Sequence, residues 1–285
     1  MLKTFKVDED YQNSRFDKWF KNKVIDIPHS LIEKIIRLNK VKVNNKKTKS
    51  SYRLQIGDMV DVYDIEKFKP NQKNKLLKYK PKKKELGEYS NYIIEDNENF
   101  IVINKPTGIP VQGGTKSFKN IIDILKDTKY FLGSKPYIVH RIDKDTSGLL
   151  IVAKNRKFAQ LFTSLFRIRK IHKTYLALTY GKVSKSISSL KDQLVYVEKG
   201  KKVIQKAVSN LKIIKSNNDY TFLELKPITG RKHQLRKQLF NIGHSIYGDK
   251  KYNSSLFTKG INKDLMLHSY QIRFMINEKR YTYRA

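Results

Sequence analysis

The sequence predicts an α+β protein: a mixed, mainly antiparallel sheet domain with flanking helices, preceded by a small α/β module. Three observations carry this. Short apolar runs bounded by turn residues recur from Asn91 onward, at Phe100–Ile103, Gly148–Ala153, Tyr175–Thr179 and Tyr220–Leu225, and read as strands. They outnumber the helical patterns, near 117–126, 156–167 and 231–242, and do not alternate strictly with them, which disfavours a doubly wound sheet. A change of composition between Lys67 and Lys84 separates this part from what precedes it.

Residues 1–13 read as an N-terminal arm and 14–66 as the small module. Phe16, Trp19 and Phe20 fall on one helical face, and Pro28 with Ser30-x-x-Glu33 announces a second helix carrying Leu31, Ile32, Ile35 and Ile36. Val41-Lys-Val43-Asn44-Asn45 and Leu54–Val62 then alternate around turns, as a small sheet would. Residues 67–90 read as a basic linker: nine of the eighteen residues from Lys67 to Lys84 are lysine and none is acidic. Such a run stays extended, either as a solvated tether or as one that also grips a phosphate backbone. Residues 91–285 form the larger domain. Within its helix near 231–242, Leu235, Leu239 and Ile242 make the apolar face, leaving Arg231, Lys232, Arg236 and Lys237 for the surface.

Composition narrows the function. The 285 residues include 60 Lys+Arg against 26 Asp+Glu, a formal net charge of +34, and no cysteine. Disulfides, thiolate zinc sites and cysteine nucleophiles are thereby excluded. No stretch free of charged residues exceeds 11 residues, which is too short to span a bilayer, and the opening residues lack a secretory apolar region. A cytoplasmic monomer that does not bind membranes is expected. Lysine outnumbers arginine 48 to 12, a bias that inflates charge at solvated positions. Even discounted, the excess favours a polyanion, with nucleic acid the leading partner. The six histidines show no metal-ligand spacing, and no phosphate-binding glycine motif occurs, so neither a metal nor a cofactor is expected.

The informative segment is His140-Arg-Ile-Asp-Lys-Asp-Thr-Ser-Gly148, a charged loop entering a strongly apolar strand. Such a loop is a rigid mount for a reactive group, although Asp143 or Asp145 could equally cap a turn. With Gly148–Ala153 it resembles the signature of the RluA-type pseudouridine synthases. Asn104-Lys-Pro-x-Gly108-x-Pro110-Val-x-Gly113-Gly114, Lys173-x-Tyr175-x-Ala177, Thr229–Arg236, Gly243–Tyr252 and Leu267-His268 resemble further motifs in the family's order. Gln112 and Ser245 depart from it, where relatives often carry His and Pro. The first module resembles the S-four-like RNA-binding domain on Arg15-x-Asp17, Ser30, Ile36-Arg37, Val41-x-Val43-Asn44, Tyr52-x-Leu54 and Gly57-Asp58. The combination is most similar to the RluC branch, which modifies large-subunit (23S) ribosomal RNA.

The resemblance implies an isomerase that flips a uridine out of RNA, free or in pre-ribosomal particles, and needs no cofactor. It assigns Asp143 as the catalytic residue, Arg141 as the side chain that fills the space of the extruded base, and Tyr175 as the ring packing on the uracil. Arg231 would pair with the catalytic carboxylate, and Leu267 would line the pocket. Tyr175 also fits a plain core position. Arg15, Ser30, Arg37, Lys42 and Asn44 are the expected RNA contacts of the first module. Lys105, Pro106 and His233 read as scaffold. Rival readings are a synthase acting on transfer RNA or other RNA sites, a non-catalytic RNA-binding ribosome assembly factor, and a metal-dependent nuclease built on Asp143 and Asp145.

Overall fold

The computed structural model describes residues 1–68, 79–113, 119–198, 200–252 and 264–285. The chain divides into two units, Met1–Leu77 and Lys78–Ala285.

In the first unit, strand β1 (Leu2–Lys6) is followed by helix α1 (Phe16–Trp19), which runs into a wider turn over Phe20–Val24, and by α2 (His29–Arg37). Strands β2 (Val41–Val43), β3 (Lys46–Lys47) and β4 (Met59–Tyr63) complete it. The sheet order is β1-β4-β2-β3, so the expected N-terminal arm is in fact an edge strand, paired antiparallel with β4 from Leu2–Tyr63 to Lys6–Met59. The helix faces legible in the sequence close the core. Phe16, Trp19 and Phe20 pack with Ile32, Ile35 and Ile36 over Val41, Val60 and Val62. Removing these side chains from water is worth roughly 1.5–3 kcal/mol each, which a small unit needs.

The expected linker is shorter than 67–90. Residues 69–78 lie outside the described residues, but Lys83–Ser90 forms helix α3, whose Leu86 and Tyr89 pack into the core of the second unit. Glu85 explains part of this: its carboxylate pairs with Lys119 and accepts a hydrogen bond from Tyr79.

The second unit continues with β5 (Ile93–Asp96), β6 (Phe100–Lys105), α4 (Ile121–Lys126), β7 (Tyr137–Ile138), β8 (Ser147–Ala153) and α5 (Arg156–Arg167). Then come β9 (His172–Tyr180), β10 (Ser189–Glu198), β11 (Lys201–Ser216), β12 (Tyr220–Pro227), α6 (Gln234–Asn241), β13 (Leu267–Ile276) and β14 (Lys279–Arg284). The strands form one sheet in the order β10-β11-β12-β9-β13-β8-β6-β5, with β14 beside β13 and β7 beside β8. Among the described residues only the β13–β8 pair is parallel.

The near-continuous apolar runs of β6 and β8 follow from burial on both faces. Ile101, Ile103, Leu150 and Val152 meet α3 and α4 on one side, and Phe100, Val102, Leu149 and Ile151 meet α5 on the other. Helices α4 and α5 start where Asn120 and Asn155 accept the backbone N–H three residues on, at 3.0 and 2.9 Å. Leu235 and Leu239 of α6 cover Leu211, Leu223 and Leu225. This places the start of α6 across from the loop that joins β7 to β8.

Candidate active site

The β7–β8 loop, residues 139–146, is fastened from below. Lys105 at the end of β6 is fully buried, and its ammonium donates to the carbonyls of Pro106, Ile109 and Lys144 at 2.7, 2.9 and 3.0 Å. Thr107 donates to the Asp145 carbonyl at 2.8 Å, and the Thr146 N–H closes a turn on Asp143. Burial lowers the Lys105 pKa to about 8, against the pull of Asp145 and Asp143. His140 anchors the other side. Its Nε2 accepts from the Ile151 N–H at 2.9 Å and its ring lies 4.6 Å from that of Phe166. Burial, with Lys173 nearby, pushes it down to about 3, so the imidazole is neutral.

The loop opens onto a cavity of about 1000 Å³ bounded by β9, β12, β13 and the start of α6. Asp143 projects into it. One carboxylate oxygen lies 3.7 Å from Nη1 of Arg236 and the other 3.9 Å from Nε2 of His233. Both partners are themselves held. Arg236 donates from Nε and Nη2 to the two oxygens of Asp249, each at 2.7 Å, and Asp249 also accepts the backbone N–H groups of Lys251 and Tyr252. Burial disfavours the ionised Asp249, but the Arg236 bonds outweigh it and hold the carboxyl below its ordinary range. His233 sits in the left-handed region at φ +53°, and its Nδ1 is 3.0 Å from the Tyr252 hydroxyl. Burial lowers its pKa, while Asp143 opposes that shift. The Tyr252 ring lies 5.2 Å from the Arg236 guanidinium.

Tyr175 on β9 and Leu267 on β13 are buried and line the same cavity. Burial pushes the Tyr175 phenol up to about 12, so it presents a neutral ring. Among the described residues nine Lys and Arg side chains line this cavity, with Asp143 as the sole carboxylate. Such a space suits a polyanion with one reactive carboxylate at its floor.

Residues 99–241 match the family described as RNA pseudouridylate synthase. The chain belongs to that family. It is 32% identical to the ribosomal large subunit pseudouridine synthase C of Vibrio vulnificus, over 94% of this chain and 87% of that protein. The protein of the same name from Rickettsia felis is 33% identical over 90% of this chain and 85% of its own length. The solved structure of human RNA pseudouridylate synthase domain containing 4 superposes with a TM-score of 0.60 at 26% identity, covering 70% of this chain and 90% of that one. The chain is therefore an RNA pseudouridine synthase, an isomerase.

The five catalytic and substrate-contact candidates read from the synthase's sequence meet in this cavity: Arg141, Asp143, Tyr175, Arg231 and Leu267 all line it. One expected pairing is corrected. Arg231 does not bind Asp143; it donates from Nε to the Lys206 carbonyl at 3.3 Å. The helix begins at Gln234 rather than at 231, so Arg231 lies in the turn before it, while the first helical turn carries Arg236 inward. Arg236, expected on the surface, is 4% exposed. His233, read as scaffold, faces Asp143 directly. Arg236 closes the Thr229–Arg236 motif and Asp249 stands in the following Gly243–Tyr252 motif, and an Arg and an Asp in consecutive motifs were the signal available to pair them.

The first unit's candidates divide. Ser30 and Arg37 are exposed on α2, and Lys42 lies 5.8 Å from the Tyr63 ring. Arg15 is already engaged, bound through Nε and Nη2 to the buried Asp17, which also meets His29 at 3.0 Å. Asn44 is a turn residue at φ +50° whose amide donates to Asp58 and accepts from the Met59 N–H. Both its polar ends are used by the fold. Among the described residues no group of three or more acidic or histidine side chains could hold a metal ion, and no helix is long and apolar enough to cross a membrane.

Proposed function

We propose that the synthase converts uridines of large-subunit (23S) ribosomal RNA to pseudouridine in the cytoplasm, with Asp143 as its catalytic residue. The observation that carries the assignment to Asp143 is its solitude: the one carboxylate among the described residues of the cavity, facing a guanidinium and an imidazole amid nine cationic side chains. The ribosomal substrate is suggested by the names of the relatives, which match over most of their length.

Isomerisation breaks the bond between ribose C1′ and uracil N1 and forms one between C1′ and C5. The proton displaced from C5 leaves and N1 regains one, so nothing is oxidised and no second substrate is consumed. The base must first leave the stack, at a cost of a few kcal/mol. Arg141, exposed at the cavity mouth, would fill the gap it leaves, and Tyr175 would pack on the ring. Asp143 then opens the glycosidic bond at C1′. Arg236 stabilises the negative charge passing between Asp143 and the detached uracil, in a site already organised before substrate arrives. The first unit, with 12 Lys+Arg against 5 Asp+Glu over residues 14–63, is read as an S-four-like RNA-binding module.

The test is Asp143→Asn, with pseudouridines mapped in 23S ribosomal RNA by carbodiimide-stop primer extension in a deletion strain complemented with parent or variant. The parent restores the lost stops and the variant does not, while binding RNA as the parent does. Stops restored by the variant would remove Asp143 from the mechanism; no stop lost in the deletion strain would remove the ribosomal substrate.

A further inference from the structure

The arginines of this chain are not spread as its lysines are. Lysine outnumbers arginine 48 to 12 overall, yet the cavity is lined by six arginines and three lysines. A composition that drifts towards lysine leaves arginine where the planar fork matters, because the guanidinium binds phosphate through two parallel hydrogen bonds and an ammonium does not. Arg236 is bound to Asp249 and Arg231 to a carbonyl. Arg141, Arg167, Arg169 and Arg273 have no carboxylate partner among the described residues.

The set does not stop at the cavity. Arg273 on β13 lies opposite His172 of β9 on one side and Thr282 of β14 on the other. Along the same pair of strands Gln271 opposes Arg284 and Met275 opposes Arg280. Directly opposed residues share a sheet face, and residues two apart repeat it. Arg273, Arg280 and Arg284 therefore stand on one face, all exposed, while Phe274, Tyr281 and Tyr283 turn to the core on the other. Arg280 and Arg284 are separated by about 13 Å along the strand. The sole acidic residue from 267 to 285 is Glu278, at the hairpin tip beyond the strip.

We infer that the exposed face of β13 and β14 is a second RNA-docking surface, on which Arg273, Arg280 and Arg284 hold the phosphate backbone of the strand leaving the active-site cavity. This rests on the reading of the chain as an enzyme acting on long RNA, and it adds where that RNA continues. Arg273 belongs to both surfaces and makes them continuous. Charge complementarity and the absence of apolar anchors beyond Met275 favour a phosphate backbone over a protein partner.

The experiment compares the full chain with R280Q/R284Q and R280K/R284K, binding a 23S ribosomal RNA transcript at 50 to 200 mM salt. Each phosphate contact contributes about 0.7–0.9 to the slope of log affinity against log salt, so the Gln variant should lose about 1.5 of slope. The parent would then lose about eightfold more affinity than the Gln variant across that range. The Lys variant should keep the slope and bind more weakly at each salt concentration. Turnover at saturating transcript should be unchanged in both, since neither residue lines the cavity. A Gln variant with the parent's slope and affinity overturns the surface, as does one that loses binding to phosphatidylglycerol vesicles but not to RNA. Failure of the parent to form pseudouridine would instead overturn the proposed substrate, a result read separately from the slopes.

Discussion

Asp249 holds Arg236 through two hydrogen bonds of 2.7 Å, leaving Nη1 of the same guanidinium to face Asp143 at 3.7 Å. Two carboxylates, Asp249 buried and Asp143 half-buried, thus share one arginine, and the inner one fixes where the outer one finds its partner. Asp249→Asn keeps the size but offers only one acceptor, so Arg236 loses its two-point hold. Breaking a buried pair of this kind costs about 3–5 kcal/mol, and a displacement of about 1 Å at a reacting group costs about 100-fold in rate. The expected result is a drop in kcat of about that size with RNA affinity retained, measured by single-turnover tritium release from labelled RNA. Unchanged kcat in a folded variant would show that Arg236 needs no such support.

Arg231 and Arg236 lie five residues apart, and the structure gives them different work. Arg236→Gln removes the cation beside Asp143 and leaves Asp249 buried without its partner, so both activity and stability should fall severely. Arg231→Gln removes a rim cation bonded to a carbonyl. It should raise the apparent Kd for RNA a few-fold and leave kcat within about threefold, as expected of one phosphate contact. The reverse ranking in a filter-binding and turnover comparison would restore Arg231 as the partner of Asp143.

The contrast between these two arginines shows what the sequence can carry. Motif blocks identified the loop around Asp143, the Tyr175 strand and the segment 229–236, because strongly patterned runs there are bound to specific elements. The helix expected near 156–167 is found at Arg156–Arg167, while its Asn155 cap became visible only in the structure. Which arginine turns inward was not readable, since it depends on the helix beginning three residues later than the apolar spacing alone suggests. The edge strand Leu2–Lys6 and the long β10–β11 hairpin were missed for another reason. β1 is exposed at four of its five positions, and the β10–β11 hairpin mixes lysines with apolar residues that stay exposed, such as Val197 and Ile204; neither spells out a clean buried face, and their strand identity comes from backbone pairing with a neighbour.

Gly148 and Gly248 mark places where the backbone must pass close to another strand or loop. Gly148 has φ +102°, and a Cβ there would collide with the backbone of Ser269, its partner in the one parallel strand pair. Gly248 has φ +78°, and a Cβ would strike the Asp264 carbonyl. Gly148→Ala should therefore separate β8 from β13 beneath the catalytic loop. Backbone strain of this kind costs about 1–3 kcal/mol, or roughly 2–10 °C in Tm for a unit of this size. Gly133→Ala is the control, because φ is also positive there but nothing stands within reach of a Cβ. Equal Tm losses at both sites would mean that the close approach of Ser269 adds nothing to the strain.

Lys105 links pH to the fastening of the catalytic loop. Burial lowers its pKa from 10.5 to about 8. Between those values the unfolded chain carries the proton and the folded chain does not, so the unfolded state binds more protons and stability rises with pH. The Lys105 contribution is fully present above about pH 10.5 and is lost as pH falls to about 8. Lys105→Met has no such titration, although it strips three carbonyls of their donor and should be less stable throughout. The stability gap between parent and Lys105→Met should widen by roughly 3 kcal/mol from pH 8 to 10.5 and stay flat from pH 6 to 7. Urea unfolding at four pH values reads this directly. A constant gap would mean that the ammonium is as well solvated by its three carbonyls as by water, and that the loop around Asp143 is fastened at no electrostatic cost.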